Sequence, residues 1–328
     1  RPRSPRPPRP GPTLRPGPGR DHHREGLPLR LVSYLDPAGA RLGVEAEDGR
    51  IWSSRSLGAG LPGSMADLLA AGETSLAALR SAARSAASLG RPGDVDPGAR
   101  TAPVPRPGKI VAVGLNYQEH AAEQGGAVKA PELPMLFAKF PTSVIGDGDT
   151  IEWDPQLTDA VDLEAELGVV IGRTARRVSA EDALDHVLGY TCVNDVSARD
   201  LQFADKQYVR GKSLDTFCPM GPVLVTVDEL GDASGLGVRS FRNDEPVQDG
   251  NTTDLIHDVR ALVAFCSQAF TLEPGDVIAS GTPSGVLYFR EPRVMLRDGD
   301  RVRVEIDGIG SLANTCRELQ LEEGAGAG

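Results

Sequence analysis

The sequence predicts a β-rich α+β protein, with a small α+β unit at the amino terminus ahead of a larger β-rich body. Three observations carry this. The chain is 328 residues long, more than a usual single domain. It combines 38 Gly and 26 Pro with only 5% aromatic residues, so turns are many. Short apolar or alternating runs bounded by turn residues outnumber stretches with helical spacing.

Residues 1–25 hold eight prolines and seven arginines against Asp21 and Glu25. That composition cannot bury enough apolar surface to offset ordering, so 1–27 is expected to be a disordered tail or leader. From Leu29 to Trp52, short strands are expected around the turn Asp36-Pro37-Ala38-Gly39 and at Asp48-Gly49. Between Ser64 and Leu89, Met65, Leu68, Leu69, Leu76 and Leu79 recur at helical spacing. Gly72 divides them into two short helices. Gly90 to Pro107 lacks periodicity and reads as a linker, which makes 28–105 a small amino-terminal domain. The body, 106–321, opens with the buried-strand pattern Lys109 to Gly114, and one or two helical turns are expected over Tyr117 to Gln124. Further strands are expected at Gly168 to Ile171, Val223 to Val227, Val277 to Ala279 and Arg301 to Ile306. Helices are expected over Ala180 to Leu188, capped by Ser179, and over Thr253 to Phe270. Residues 322–328 read as a flexible tail.

The formal net charge of -11 argues against nucleic acid or an anionic membrane as partner, because both demand a basic field. Cys192, Cys218, Cys266 and Cys316 lie far apart and form no C-x-x-C pair, so neither a zinc knuckle nor a disulfide framework is indicated. With no apolar run long enough to span a bilayer, a reducing cytoplasm is the expected location. The sequon Asn251-Thr252-Thr253 is read as chance in such a setting.

Chemistry concentrates in two acidic segments. In Asp162-Leu163-Glu164-Ala165-Glu166-Leu167, a strand would place the three carboxylates on one face. Two readings fit: a solvated acidic edge strand, or oxygen ligands around a hard divalent cation. The apolar run that follows makes exposure uncomfortable. Asn194-Asp195 ends the apolar run Tyr190 to Val193, where a strand gives way to a loop. By itself that pair is a turn signal. His120 and Glu123 stand one helical turn apart, as an exposed ion pair or as a pair with a part in catalysis. His22, His23, His186 and His257 have no comparable setting.

The blocks Asn116 to Glu123, Asp162 to Glu166, Asn194 to Gln202, Arg210-Gly211-Lys212-Ser213 and Ser280-Gly281-Thr282-Pro283 occur in that order. Their order and wording resemble the fumarylacetoacetate hydrolase family, from about Pro107 to Asn314. One departure is Leu287 after Gly285-Val286, where the family often has another glycine. The resemblance implies the mixed β-sheet roll of that family, a homodimer, and one Mg²⁺ or Mn²⁺ held by Glu164, Glu166 and Asp195. It further implies His120 as the base activating a water, Glu123 as its orienting partner, and Lys212 as an ammonium facing the carboxylates. Arg199, Gln202 and Thr282 are implied substrate contacts, although Arg199 could also simply pair with Asp200 or another neighbour.

The reaction the resemblance favours first is hydrolysis of a carbon–carbon bond in acylpyruvate-like 1,3-dicarbonyl acids. Decarboxylation, isomerisation or hydration of small oxo-acids would use the same metal-enolate site. A rival from another class is a non-catalytic binding protein that keeps the fold; intact His120, Glu123 and Lys212 oppose it. Nucleic-acid binding through the basic tail conflicts with the acidic body.

Overall fold

The computed structural model describes residues 29–123 and 131–320. The expected basic tail, the tail after 321 and Gln124 lie outside the described residues. One large sheet runs in the spatial order Ile51–Ser53, Gly39–Glu45, Arg30–Asp36, Cys218–Thr226, Val187–Asn194, Ala165–Ile171, Val277–Ala279, Ile110–Gly114 and Met135–Lys139. Most neighbours are antiparallel, but Val277–Ala279 runs parallel to Ile110–Gly114, so the sheet is mixed, as the family resemblance implies. A second sheet runs Glu245–Asn251, Gly237–Arg242, Arg301–Ile306, Gly310–Glu318 and Thr150–Trp153.

The turn chemistry expected at the amino terminus is present. Asp36 pairs with Gly39 across a two-residue turn, and the Asp36 carboxylate accepts the Ala38 N–H at 2.8 Å. Ser64 caps the helix Met65–Ala71 by accepting the Asp67 N–H, and Gly72, at φ +71°, separates it from the helix Glu73–Ser88. The stretch read as a linker is not structureless. Asp94 accepts hydrogen bonds from the Ser53 N–H and hydroxyl, and Arg100–Thr101 pairs with Arg30–Asp36. Arg30 and Leu31 stand opposite Val225 and Leu224, so the amino-terminal strands form one edge of the same sheet that carries the body.

Two helix expectations need correction. Over 180–188 only a 3₁₀ turn forms, Ala183–His186, and Val187 and Leu188 already belong to the strand Val187–Asn194. The β-branched and aromatic run Val187 to Val193 favours extended backbone and takes its register from two neighbouring strands. Over 253–270 the helix is shorter, Val259–Ala269, and it is capped by Asp258, whose carboxylate accepts the Ala261 N–H at 2.8 Å.

Alternation along Ala165–Ile171 sends Leu167, Val169 and Ile171 into one core and Val170 into another. The first core is shared with the helix Val259–Ala269 and the second sheet; the other is covered by Met65, Leu68 and Leu79 of the amino-terminal helices. Leu262 is fully buried in the first, remote from the acidic segments in sequence. Leu262→Ala is expected to lower unfolding free energy by about 2–5 kcal/mol, read from urea titration. Among the described residues no helix is long and apolar enough to cross a membrane.

Candidate active site

The acidic segment departs from simple alternation. Val161–Asp162 pairs with Ser197–Ala198 in a separate two-stranded ribbon, the chain leaves strand geometry at Leu163 and Glu164, and Ala165–Ile171 then joins the large sheet. At the break, side chains replace the ladder: the Glu164 N–H donates to Asn194 Oδ1 at 3.1 Å and the Ala165 N–H to Gln248 Oε1 at 2.9 Å. Asp162 stands outside the group that Glu164 and Glu166 form with Asp195. It receives Arg199 Nε at 3.0 Å and Nη2 at 2.8 Å. Arg199 therefore pairs across the fold, while Asp200 accepts the Thr158 hydroxyl.

Asp195 follows the end of Val187–Asn194, where its N–H donates to the Glu164 carbonyl at 2.9 Å. That bond, with the pairing of Ala165 opposite Asn194, brings Glu164, Glu166 and Asp195 together. One carboxylate oxygen from each lies within 4.8 Å of the others, and all three residues are buried, 4% exposed at most. The reading as a solvated acidic edge strand is thereby overturned.

The basic groups are as buried as the acids. Lys212 Nζ bridges Glu164 Oε2 at 2.6 Å and Asp195 Oδ2 at 2.8 Å. Arg199 Nη1 reaches Glu164 Oε1 at 2.6 Å and Gln202 Oε1 at 3.1 Å. Lys139, which sequence reasoning missed, sits fully buried with Nζ 2.5 Å from Asp195 Oδ1 and donates to the Lys212 carbonyl. Its only sequence signal is a lysine closing the apolar strand Met135–Lys139, which reads as an ordinary strand end. Glu166 differs from its neighbours: it accepts the Gly281 N–H at 2.9 Å, and among the described residues it has no salt-bridge partner.

Burial, and then the charges of Asp195 and Glu164, push the Glu166 carboxyl well above the usual carboxylate range. Burial acts in the same sense on Glu164, but Lys212 and Arg199 more than reverse it and hold that carboxyl low. Counted formally, the carboxylates of Asp162, Glu164, Glu166 and Asp195 face the three cations Lys139, Arg199 and Lys212, leaving one negative charge. An all-oxygen donor set with an unneutralised member fits a hard divalent cation. With such an ion the site would carry one positive charge, suited to an anionic ligand. A cation bound there would compete with a proton on Glu166, whose carboxyl is shifted upward, so apparent Mn²⁺ affinity is expected to fall as pH drops. Calorimetry in buffers of different ionisation enthalpy should record proton release on binding.

His120 lies on the short helix Gln118–Glu123 and is 4% exposed, so the pair with Glu123 is not a surface ion pair. Its Nδ1 is 3.1 Å from Glu123 Oε2, and the other Glu123 oxygen accepts the Gly285 N–H at 2.7 Å. With Nδ1–H directed at the carboxylate, Nε2 keeps a lone pair for the cleft that His120 lines. Glu164, Glu166, Lys212, Arg199, Gln202 and Thr282 line that same narrow cleft. The Thr282 hydroxyl is engaged on both sides, accepting from Gln248 Nε2 at 2.7 Å and donating to the Ala165 carbonyl at 2.9 Å.

A family model described as the C-terminal domain of fumarylacetoacetate hydrolase matches residues 109–317. The chain belongs to the fumarylacetoacetate hydrolase family. Within the family it is 41% identical to the mitochondrial oxaloacetate tautomerase fahd2 of Xenopus laevis, over 88% of this chain and 90% of that one. It is 48% identical to the oxaloacetate tautomerase YisK of Bacillus subtilis, over 65% and 71% of the two chains. Among solved structures it resembles maleylpyruvate hydrolase from Sphingobium sp. SYK-6, a complex with manganese(II) and pyruvate. That match has a TM-score of 0.69 and 33% identity, covering 89% of this chain and all of the other. The mixed-sheet architecture is thus the fumarylacetoacetate hydrolase fold, and the Glu164, Glu166 and Asp195 group stands in a family with a manganese-bound member.

Proposed function

We propose that this protein interconverts the keto and enol forms of a small 2-oxo dicarboxylic acid, oxaloacetate first, with Mg²⁺ or Mn²⁺ held by Glu164, Glu166 and Asp195. The observation that carries this reading is one narrow cleft lined by Glu164, Glu166, the Lys212 ammonium and a carboxylate-oriented imidazole, with an Asp195 oxygen within 4.8 Å of those of the two glutamates. Relatives named as oxaloacetate tautomerases, fahd2 and YisK among them, support the choice of substrate.

A bound divalent cation would supply a Lewis acid for two oxygens of a 2-oxo-acid and stabilise the charge that enolisation places on the carbonyl oxygen. The chain supplies the rest. His120 Nε2 carries the proton to and from C3, and Glu123 fixes the tautomer that allows it. Lys212, whose ammonium form is favoured by Asp195 and Glu164 against the effect of burial, holds positive charge and a proton beside the substrate oxygens. Arg199 and Gln202 shape the same wall. The protein is proposed to work as a homodimer, by analogy with its family, in the cytoplasm.

A second reading, hydrolysis of acylpyruvates, is favoured by the same His120 and Glu123 pair, which could activate a water instead, and by the hydrolase among the structural relatives. Decay of the enol absorbance of oxaloacetate, followed beside cleavage of a panel of acylpyruvates with Mg²⁺ and Mn²⁺, separates the two. Acylpyruvate cleavage without acceleration of oxaloacetate ketonisation would sink the tautomerase reading.

A further inference from the structure

Asp162 belongs to the acidic segment but takes no place among the three clustered carboxylates, although it is fully buried. Its two oxygens accept five hydrogen bonds. Oδ1 receives the N–H of Leu163 at 2.9 Å and of Leu287 at 3.0 Å. Oδ2 receives the N–H of Tyr288 at 3.1 Å together with Arg199 Nε and Nη2. Two distant parts of the chain therefore meet on one carboxylate.

The first is the segment Leu287–Phe289, a 3₁₀ turn. Phe289 lies 6.3 Å from the His120 ring, and Tyr288 and Phe289 pack on each other at 5.2 Å and on Phe203 at 5.3 and 6.4 Å. This aromatic rim flanks the imidazole, and its backbone is anchored through Asp162. The second is Arg199, whose guanidinium is divided between Asp162 and Glu164. A guanidinium facing Glu164 alone would concentrate its attraction there and compete with any cation for that carboxylate. Sharing it with Asp162 leaves Glu164 freer to serve as a ligand.

We propose that Asp162 is a positioning residue that seats the Leu287–Phe289 rim beside His120 and, by sharing Arg199, keeps Glu164 available to a divalent cation. The cation arm rests on the metal-dependent reading of the site; the rim arm does not.

The test uses the full chain and Mn²⁺ alone, read by calorimetry, with hydrogen exchange at the Leu287 and Tyr288 amides as the second readout. Asp162→Asn keeps the shape, removes the charge and offers an N–H₂ where an acceptor stood. It is expected to weaken Mn²⁺ binding about tenfold, the usual cost of losing a ligand's outer partner, and to speed exchange at one or both amides. The double variant Asp162→Asn/Arg199→Met removes both charges. It is expected to return Mn²⁺ affinity to within about threefold of the original while amide exchange stays fast, because contacting residues compensate each other. Should the single variant fail to fold with its guanidinium half-unpaired, the double variant alone still decides. Unchanged affinity and unchanged exchange in Asp162→Asn overturn the proposal, as does a double variant that binds Mn²⁺ tenfold more weakly. A different failure identifies the underlying reading: Mn²⁺ binding that survives Glu166→Gln unchanged rejects the carboxylate cage, leaving the exchange data to judge the rim.

Discussion

Stripping divalent cations with a chelator should lower oxaloacetate tautomerisation at least about a thousandfold, and Mn²⁺ or Mg²⁺ should restore it. The size follows from what a Lewis acid contributes, several kcal/mol of charge stabilisation, when each 1.36 kcal/mol is tenfold in rate. The chain's own cations at the site are already paired with carboxylates. Lys212 is already bridged to Glu164 and Asp195, Lys139 is held by Asp195 and two backbone carbonyls, and Arg199 is divided between Asp162 and Glu164. Glu166→Gln should reproduce most of the loss, since it removes the one clustered carboxylate without a cationic partner. Activity that survives exhaustive chelation would remove the cation from the mechanism.

The second large effect is expected at His120. His120→Ala should lower turnover by roughly 10²- to 10⁴-fold, the usual contribution of a positioned acid–base group. Mn²⁺ affinity should stay nearly unchanged, because the imidazole is not among the three grouped ligands. Glu123→Gln should do less harm: the ring remains, but the acceptor that selects its tautomer is weakened. A metal-polarised oxo-acid can lose carbon dioxide without this base, so any decarboxylation should survive His120→Ala better than proton transfer does. Loss of Mn²⁺ binding together with activity would instead make His120 a structural residue.

The parts of the site readable in the sequence are those fixed by local spacing. His120 and Glu123 sit one helical turn apart on the helix that the polar, Ala-containing stretch suggested. Glu164 and Glu166 face each other's charge as two residues of one acidic segment, and Gly72 divides two helices where it interrupts the apolar spacing. The parts that escaped depend on contacts across the chain. Strict alternation would have grouped Asp162 with Glu164 and Glu166; it failed because Asn194 and Gln248 take over backbone hydrogen bonding at 164 and 165. Lys139 meets Asp195 from 56 residues away, and nothing beside it in sequence shows that its strand end is buried. The helix expected at 180–188 gave way for the same reason: its last residues were claimed by a sheet whose partners lie elsewhere in the chain.

The pairing of Arg30 and Leu31 with Val225 and Leu224 has a practical consequence for anyone dissecting the molecule. The family match begins at residue 109, which invites excision of the body alone. Such a fragment would uncap the flank of Cys218–Thr226, a strand whose nine residues are all buried in the intact chain. It would offer unpaired backbone groups and apolar side chains to any passing copy. Exposed, flat, apolar strand flanks template self-association. The amino-terminal hairpin thus covers that flank, and expression trials that discard it are expected to yield aggregates whatever the state of the carboxylate cluster.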